Sequence, residues 1–479
     1  MPTLEKKSIK QNPVFKIVFI LIAICIVLFG CATTPLEGLT VEGWRMIWIV
    51  VAAIVLFISE SLPLVCTCMM IIFAMKYTGA ATMSDITKSA ASTTTFFIMA
   101  GFGLGAALEN TNLAAILLRG LYKLGKGDSR KMISAVCWMS AIISIFVSDA
   151  AAQIVCITVV MSIIKAIGNP TPGSSRLCGG MMMAVTVGAF TGGLFLPCSN
   201  SVNVAVMDLA EVVSGQPMTF FQWAIFGIPI GFLLTLFAAW RIPRYFKPEN
   251  LDPNQIGNIE KIFDGIPQKL ERKDWSYLTI TVVMMFFWIA SNWIKTFDVA
   301  TVAIGGMFLM MCPGINLLSA KDYAKNFKGT LILVMTCIFP MASAMAKTGA
   351  GEWVIGKIFA NSTGWSLFTV VIVATIAAFL VHLLIPAGSA NGVLSASIIG
   401  PVGVAAGLPV ASILMIVGVQ AGAAFLFPIE GGWAQTFGYG YYKFDDCFKG
   451  LWPVTVCSLL LCIVVVSLLT LIYAPLGLI

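Results

Sequence analysis

Residues 176–210 read RLCGGMMMAVTVGAFTGGLFLPCSNSVNVAVMDLA, and this stretch decides the fold. It is apolar and longer than the about 20 residues a helix needs to cross about 30 Å of hydrocarbon. Pro197-Cys198-Ser199-Asn200-Ser201 nevertheless interrupts its middle. Proline removes a helical N–H and clashes with the preceding turn. Freed backbone at membrane depth is tolerated only where protein or a water-filled cavity surrounds it. A span broken in this way predicts an interior polar site.

The rest of the chain carries the same signal. Of its 479 residues 59% are hydrophobic and only 11% charged, with a mean hydropathy of +0.94. A soluble domain keeps roughly 25% charged residues. Long apolar runs recur from end to end, which predicts an all-α polytopic membrane protein of about 11 transmembrane helices. The net charge of +7 sits largely beside these runs, where Lys and Arg set orientation, and does not point to nucleic acid. Lys6, Lys7, Lys10 and Lys16 before the first run place the amino terminus in the cytoplasm of an integral, multi-pass, plasma (inner) membrane protein. The 13 Cys are scattered through apolar segments without metal spacing and read as small hydrophobes.

Spans are expected at 15–31, 44–58, 61–78 and 95–118, with an interfacial stretch at 79–94. Residues 131–168 then form two short apolar arms around Ser148-Asp149, the pattern of a re-entrant hairpin. The broken span 176–210 and a span at 221–243 complete a first half, residues 1–243. Residues 244–274 read as a solvated cytoplasmic linker, since positions 241–274 hold seven basic and six acidic residues. The second half, 275–479, has spans at 275–293, 297–314 and 330–348. A second hairpin, 365–407, surrounds Pro386-Ala387-Gly388-Ser389-Ala390. A second broken span, 410–440, is interrupted at Pro428-Ile429-Glu430-Gly431-Gly432, and a last span fills 450–474.

The halves repeat one another. Ser148-Asp149 has its counterpart around Ser389-Ala390-Asn391. Leu194-Phe195-Leu196-Pro197 resembles Phe425-Leu426-Phe427-Pro428, and Phe221 and Gly227 recur as Phe444 and Gly450 at an offset of 223 residues. Loop charge and the number of crossings give the two hairpins opposite entry sides, the inverted repeat common among secondary transporters. In such folds substrate sits near the midplane, where half-helix amino ends favour anions and freed carbonyls hold a cation.

On these residues the chain resembles the divalent anion:sodium symporter family. The likeness is clearest from Gly193 to Val206, at Phe221 through Pro229, and from Ala424 through Gly440 with Phe444 and Gly450. It implies a homodimer, a transport subdomain moving by an elevator motion against a fixed scaffold, and sodium-coupled uptake of dicarboxylates, tricarboxylates or sulfate. The family has Ser-Asn-Thr hairpin tips, where this chain reads Ser148-Asp149-Ala150 and Ser389-Ala390-Asn391. In the first break Asn200-Ser201-Val202-Asn203 stands where the family has Thr-Pro-Pro-Asn, and Asn203 matches. In the second, Glu430-Gly431-Gly432-Trp433 replaces Ala-Thr-Pro-Pro.

An ionised carboxylate at membrane depth is a functional candidate by default. Asp149 and Glu430 each fall at a break. Three roles are open to them: cation ligand, proton carrier, or structural partner of a helix end or a Lys. The expected function is secondary active transport of a small organic anion, such as a di- or tricarboxylate, coupled to Na+ or H+. Ser148, Ser199, Asn200, Asn203, Ser389, Asn391 and Gly431 are expected to bind substrate, and Asp149 and Glu430 the coupling cation or proton. No metal or organic cofactor is expected. The alternative is a cation/proton exchanger, or a carrier of another small solute, on the same fold. Nothing suggests an enzyme: one His, His382, read here as a packing residue, cannot build a metal or nucleophile site. Glu60 and Glu109 read as interfacial, and Gly101 to Ala106 as a close-packing stripe rather than a nucleotide loop.

Overall fold

The structure, a computed structural model, describes residues 13–59, 61–125, 127–291, 294, 296–327, 329–351, 353, 365–384, 388–422, 425–427 and 431–479. Among them regular structure is helical throughout, with no strand. The chain opens with α1 (Pro13–Ala32), α2 (Val41–Ser59), α3 (Leu64–Tyr77), α4 (Met83–Ala90), α5 (Thr93–Glu109) and α6 (Leu113–Gly125). There follow α7 (Ser129–Phe146), α8 (Asp149–Ala166), α9 (Arg176–Gly192), α10 (Ser201–Met207), α11 (Ala210–Ser214) and α12 (Phe220–Phe246). The connecting α13 (Pro253–Asp264) leads to α14 (Arg272–Ala290), α15 (Val299–Met311), α16 (Ala320–Asn326) and α17 (Gly329–Lys347). The last group is α18 (Leu367–Leu384), α19 (Gly388–Ala405), α20 (Val410–Gly422), α21 (Gly431–Phe437) and α22 (Phe444–Tyr473). Six described helical runs are long and apolar enough to cross a bilayer: α1, the run Met83–Glu109, α7, α8, α12 and α22.

Local sequence sets the starts of these helices. Asp128 caps α7 by accepting from the Arg130 and Lys131 N–H groups, Ser175 caps α9, and Thr219 with Gln222 forms a capping box on α12. The core centres on α9, whose residues from Leu177 to Gly192 are all buried. Small residues let its neighbours come close. A Cβ on Gly188 would stand 2.3 Å from the Cys137 carbonyl, and one on Gly192 2.2 Å from that of Ala141. These contacts, with Ile133 against Gly180, rise together along both helices, so α7 and α9 run parallel. The Ser140 and Ser144 hydroxyls donate to the Val185 and Ala189 carbonyls at 2.6 and 2.8 Å along the same seam. On α8 the order reverses: Asp149 meets Asn200, while Gln153 meets Thr186. Thus α7 and α8 form an antiparallel pair whose tip reaches the end of α9.

Element order repeats among the described residues: α7, α8, α9, α10 and α12 come in the first group, and α18, α19, α20, α21 and α22 in the second. Each group then closes with a long helix, α12 of 27 residues and α22 of 30.

Two expectations change. The span at 95–118 is two helices, because α5 ends at Glu109. There the Thr111 hydroxyl turns back to the Leu108 carbonyl at 2.7 Å, and the Asn112 N–H goes to the buried Asp274 carboxylate at 2.8 Å. Local bonds of this kind compete with helix continuation. The linker is not simply solvated: α13 buries Ile259 and Phe263, and Arg119 donates to the Ile266 and Pro267 carbonyls at 2.7 and 2.9 Å just beyond it. The arms α7 and α8 have 18 residues each, and both qualify as spans by length and composition.

Candidate functional site

The tip of the α7–α8 pair and the break after α9 form one structure. Ser148 is the N-cap of α8, its hydroxyl accepting from the Ala151 N–H at 3.4 Å. Asp149 occupies the first turn, where a helix favours negative charge. Past α9, Pro197–Ser199 form a single 3-10 turn. The Ser199 hydroxyl donates to the Ile145 carbonyl at 2.8 Å, satisfying an orphan acceptor at the end of α7. Asn200 caps α10 through Oδ1, 2.9 Å from the Val202 N–H, and its Nδ2 donates to Asp149 Oδ2 at 3.3 Å. Asn203, fully buried, donates through Nδ2 to the Gly193 and Leu196 carbonyls at 2.6 and 2.9 Å. Its Oδ1 has no partner.

A cavity of about 70 Å³ opens at this tip, lined by Phe97, Gly101, Phe146, Ser148, Asp149 and Ser201 among others. Drug-sized ligands occupy roughly 300–1,000 Å³. The smaller volume suits a dehydrated ion or one end of a small anion.

The second half converges on the same place. A Cβ on Gly422, the last residue of α20, would lie 3.6 Å from Asn200 Nδ2 and 3.9 Å from Asn203 Oδ1. Gly392 of α19 packs against Val202 and Val206 of α10. Beside it Asn391 is buried; its Oδ1 accepts the Ser395 hydroxyl at 2.8 Å and its Nδ2 has no partner. Phe190 of α9 lies 6.4 Å, ring to ring, from Phe425 and 5.9 Å from Trp433, residues that flank the second break.

The structure therefore brings together Ser148, Asp149, Ser199, Asn200 and Asn203, and sets the α19 segment bearing Asn391 against α10. Ser389 lies in the first turn of α19 and Gly431 begins α21, by backbone position. Glu430, Pro428, Ile429, Pro386, Ala387 and Glu60 lie outside the described residues. His382, buried, donates through Nδ1 to the Gln420 carbonyl at 2.6 Å, tying α18 to the last turn of α20. Among the described residues no group of three or more His, Cys, Asp or Glu could hold a metal ion.

Sequence reasoning passed over one polar group at this seam, the chain Gln153–Thr186–Thr436–Tyr442. Its signal was available: Gln153 is a polar residue inside an apolar arm, four positions after Asp149 and so on the same helix face.

Known proteins resemble the chain along much of its length. A sodium-dependent dicarboxylate transporter of Staphylococcus saprophyticus is 22% identical over 342 residues, covering 67% of this chain and 65% of its own. A putative malate transporter of Bacillus subtilis is 23% identical over 372 residues, 76% of each chain. Among solved structures, the YdaH transporter of Alcanivorax borkumensis superposes with a TM-score of 0.58 at 13% identity, covering 97% of this chain and 98% of that one. That likeness is one of fold. The sequence profile described as the sodium:sulfate symporter transmembrane region matches residues 11–474, so the chain belongs to that family of membrane transporters.

Proposed function

We propose that this protein is a secondary active transporter of small organic anions, di- or tricarboxylates, coupled to sodium or protons. The observation that carries the reading is that the first break meets the helix that leads to the second: Asn200 and Asn203 lie beside Gly422, the last residue of α20, next to a cavity lined by Ser148 and Asp149. Hydroxyls and amides there suit carboxylate oxygens. The Asp149 carboxylate suits a sodium ion or a proton, whose charge offsets repulsion between Asp149 and an anionic substrate. Sodium and dicarboxylate in the names of relatives support the same chemistry.

Within this reading α7–α8 and α18–α19 act as re-entrant hairpins of an inverted repeat, with residues 1–243 and 275–479 as its halves. The repeated order of elements supports that division. The transport subdomain moves by an elevator motion within a homodimer of the plasma membrane, the amino terminus cytoplasmic. Glu430 is a second candidate for the coupling ion.

The test is uptake of radiolabelled succinate, citrate and sulfate by proteoliposomes under imposed sodium and proton gradients. Accumulation of a carboxylate driven by one gradient is the expected result. Sodium/proton exchange with no anion flux would replace the reading by that of a cation exchanger, and uptake indifferent to both gradients would refute coupling.

A further inference from the structure

One buried amide is left over at the seam between the halves. Gln153 of α8 is fully buried. Its Oε1 accepts the Thr186 hydroxyl at 3.3 Å. Thr186 shares a short hydrogen bond with Thr436 of α21, and Thr436 meets the Tyr442 hydroxyl at 2.7 Å. This chain satisfies the oxygen of the amide. Its Nε2 has no partner. Leaving a buried donor unmade is costly, and buried polar groups are nearly always paired.

Position tells what the donor faces. A Cβ on Gly432 would stand 3.3 Å from Gln153 Nε2, so the amide points at the place where the second broken span resumes. Phe190 would come within 2.6 Å of the same Cβ, so a side chain at 432 would force the Phe190 ring to move. Gln153 also lies one turn along α8 from Asp149, which lines the tip cavity. The unpaired N–H thus sits between Asp149 at the tip of the α7–α8 pair and Gly432 at the start of α21.

Resting on the anion-transport reading above, we propose that Gln153 is a specificity-determining residue whose Nε2 N–H donates to a carboxylate oxygen of the bound anion. A neutral donor suits this place. It attracts an anionic acceptor without competing with the coupling cation for Asp149, and it rejects ligands that present only donors.

The rival account is a brace: Gln153 holds α8 to α9 and α21 through its oxygen alone. Three variants separate the two in proteoliposome uptake of succinate. Gln153→Met keeps the volume and removes both polar atoms. Gln153→Glu keeps the acceptor and replaces the donor. Thr186→Val breaks the brace and leaves Nε2 in place. The expected result is a KM for succinate raised about ten-fold in both Gln153 variants, the size of one hydrogen bond to a charged oxygen. The sodium or proton concentration giving half-maximal uptake stays unchanged in Gln153→Met, and Thr186→Val keeps the wild-type KM. Succinate-dependent thermal stabilisation of each purified variant provides the same readout without turnover. An unchanged KM in Gln153→Glu, with Vmax lowered equally in Gln153→Met and Thr186→Val, would overturn the proposal and leave the brace. Wild-type protein that neither takes up nor is stabilised by any carboxylate would overturn the transport reading itself, and this inference with it.

Discussion

Asn200 Nδ2 donates to Asp149 Oδ2 at 3.3 Å, joining the first turn of α8 to the cap of α10 across 51 positions of sequence. The same Asn200 caps α10 through its other atom, and Ser199 beside it binds the end of α7. The tip and the break therefore form one hydrogen-bonded unit. Any ion held by Asp149 is held by both.

Asp149→Asn tests the charge while keeping the shape. The amide oxygen can still accept from Asn200, but the Ala150 N–H loses its acceptor, so the protein is expected to fold with a modestly lowered melting temperature. If the carboxylate carries the coupling ion, uptake falls about ten-fold or more, the scale of one lost charge-assisted contact. Its dependence on sodium or pH flattens as well. Uptake measured across both gradients checks this. Wild-type gradient dependence in the variant would restrict Asp149 to its place in the first turn of α8.

Asn203→Ala is expected to act on stability. The Asn203 amide holds the Gly193 and Leu196 carbonyls where α9 gives out. Each buried acceptor left unsatisfied costs about 1–3 kcal/mol. Thermal unfolding in detergent should show a clear drop in melting temperature, larger than that of Ser199→Ala, which removes one bond. Equal melting temperatures for Asn203→Ala and wild type would mean that the carbonyls find other partners.

Much of this was legible in the sequence. The break in 176–210 announced itself through Pro197 and the polar run after it, and those residues do meet the Ser148-Asp149 tip. Composition sufficed for an all-helical chain because apolar runs dominate it. What stayed hidden depended on distant partners. The turn at Asn110–Asn112 is fixed by Asp274, which no local pattern reveals. α13 looked like a charged linker because only one of its faces, with Ile259 and Phe263, is buried. Gln153 was invisible as a site residue because its meaning comes from Thr186 and Gly432, one on each side of the seam.

Close helix packing makes a paired prediction on glycine. In Gly192→Ala the new methyl would stand 2.2 Å from the Ala141 carbonyl oxygen and 2.6 Å from its Cα, both backbone atoms that cannot yield alone. Overpacking of this kind costs typically about 1–3 kcal/mol. Gly257 lies inside α13 with nothing within 4 Å of its Cβ position. Replacing an unhindered helical Gly by Ala gains up to about 1 kcal/mol. Melting temperatures should therefore move in opposite directions, down for Gly192→Ala and slightly up for Gly257→Ala. A tolerated Gly192→Ala would show that α7 and α9 are free to separate.

Glu249 gives a pH dependence whose sign is fixed. Partial burial raises this carboxyl, but the Ser175 hydroxyl and the Arg176 and Leu177 N–H groups all donate to it and hold it below the usual range. A group whose folded pKa is depressed adds stability above its unfolded pKa, about 4.3 for Glu. That stability is lost as pH falls through the folded value. Glu249→Gln removes the charge, so the difference in melting temperature between wild type and variant is expected to be greatest near neutral pH and to shrink on acidification. Arg176, which also donates to the Tyr245 carbonyl at 3.3 Å, keeps α9 against the end of α12 in both proteins, so global unfolding remains comparable. A melting-temperature difference that stays constant from neutral to acid pH would mean that the ionised form of Glu249 adds nothing to the cap of α9.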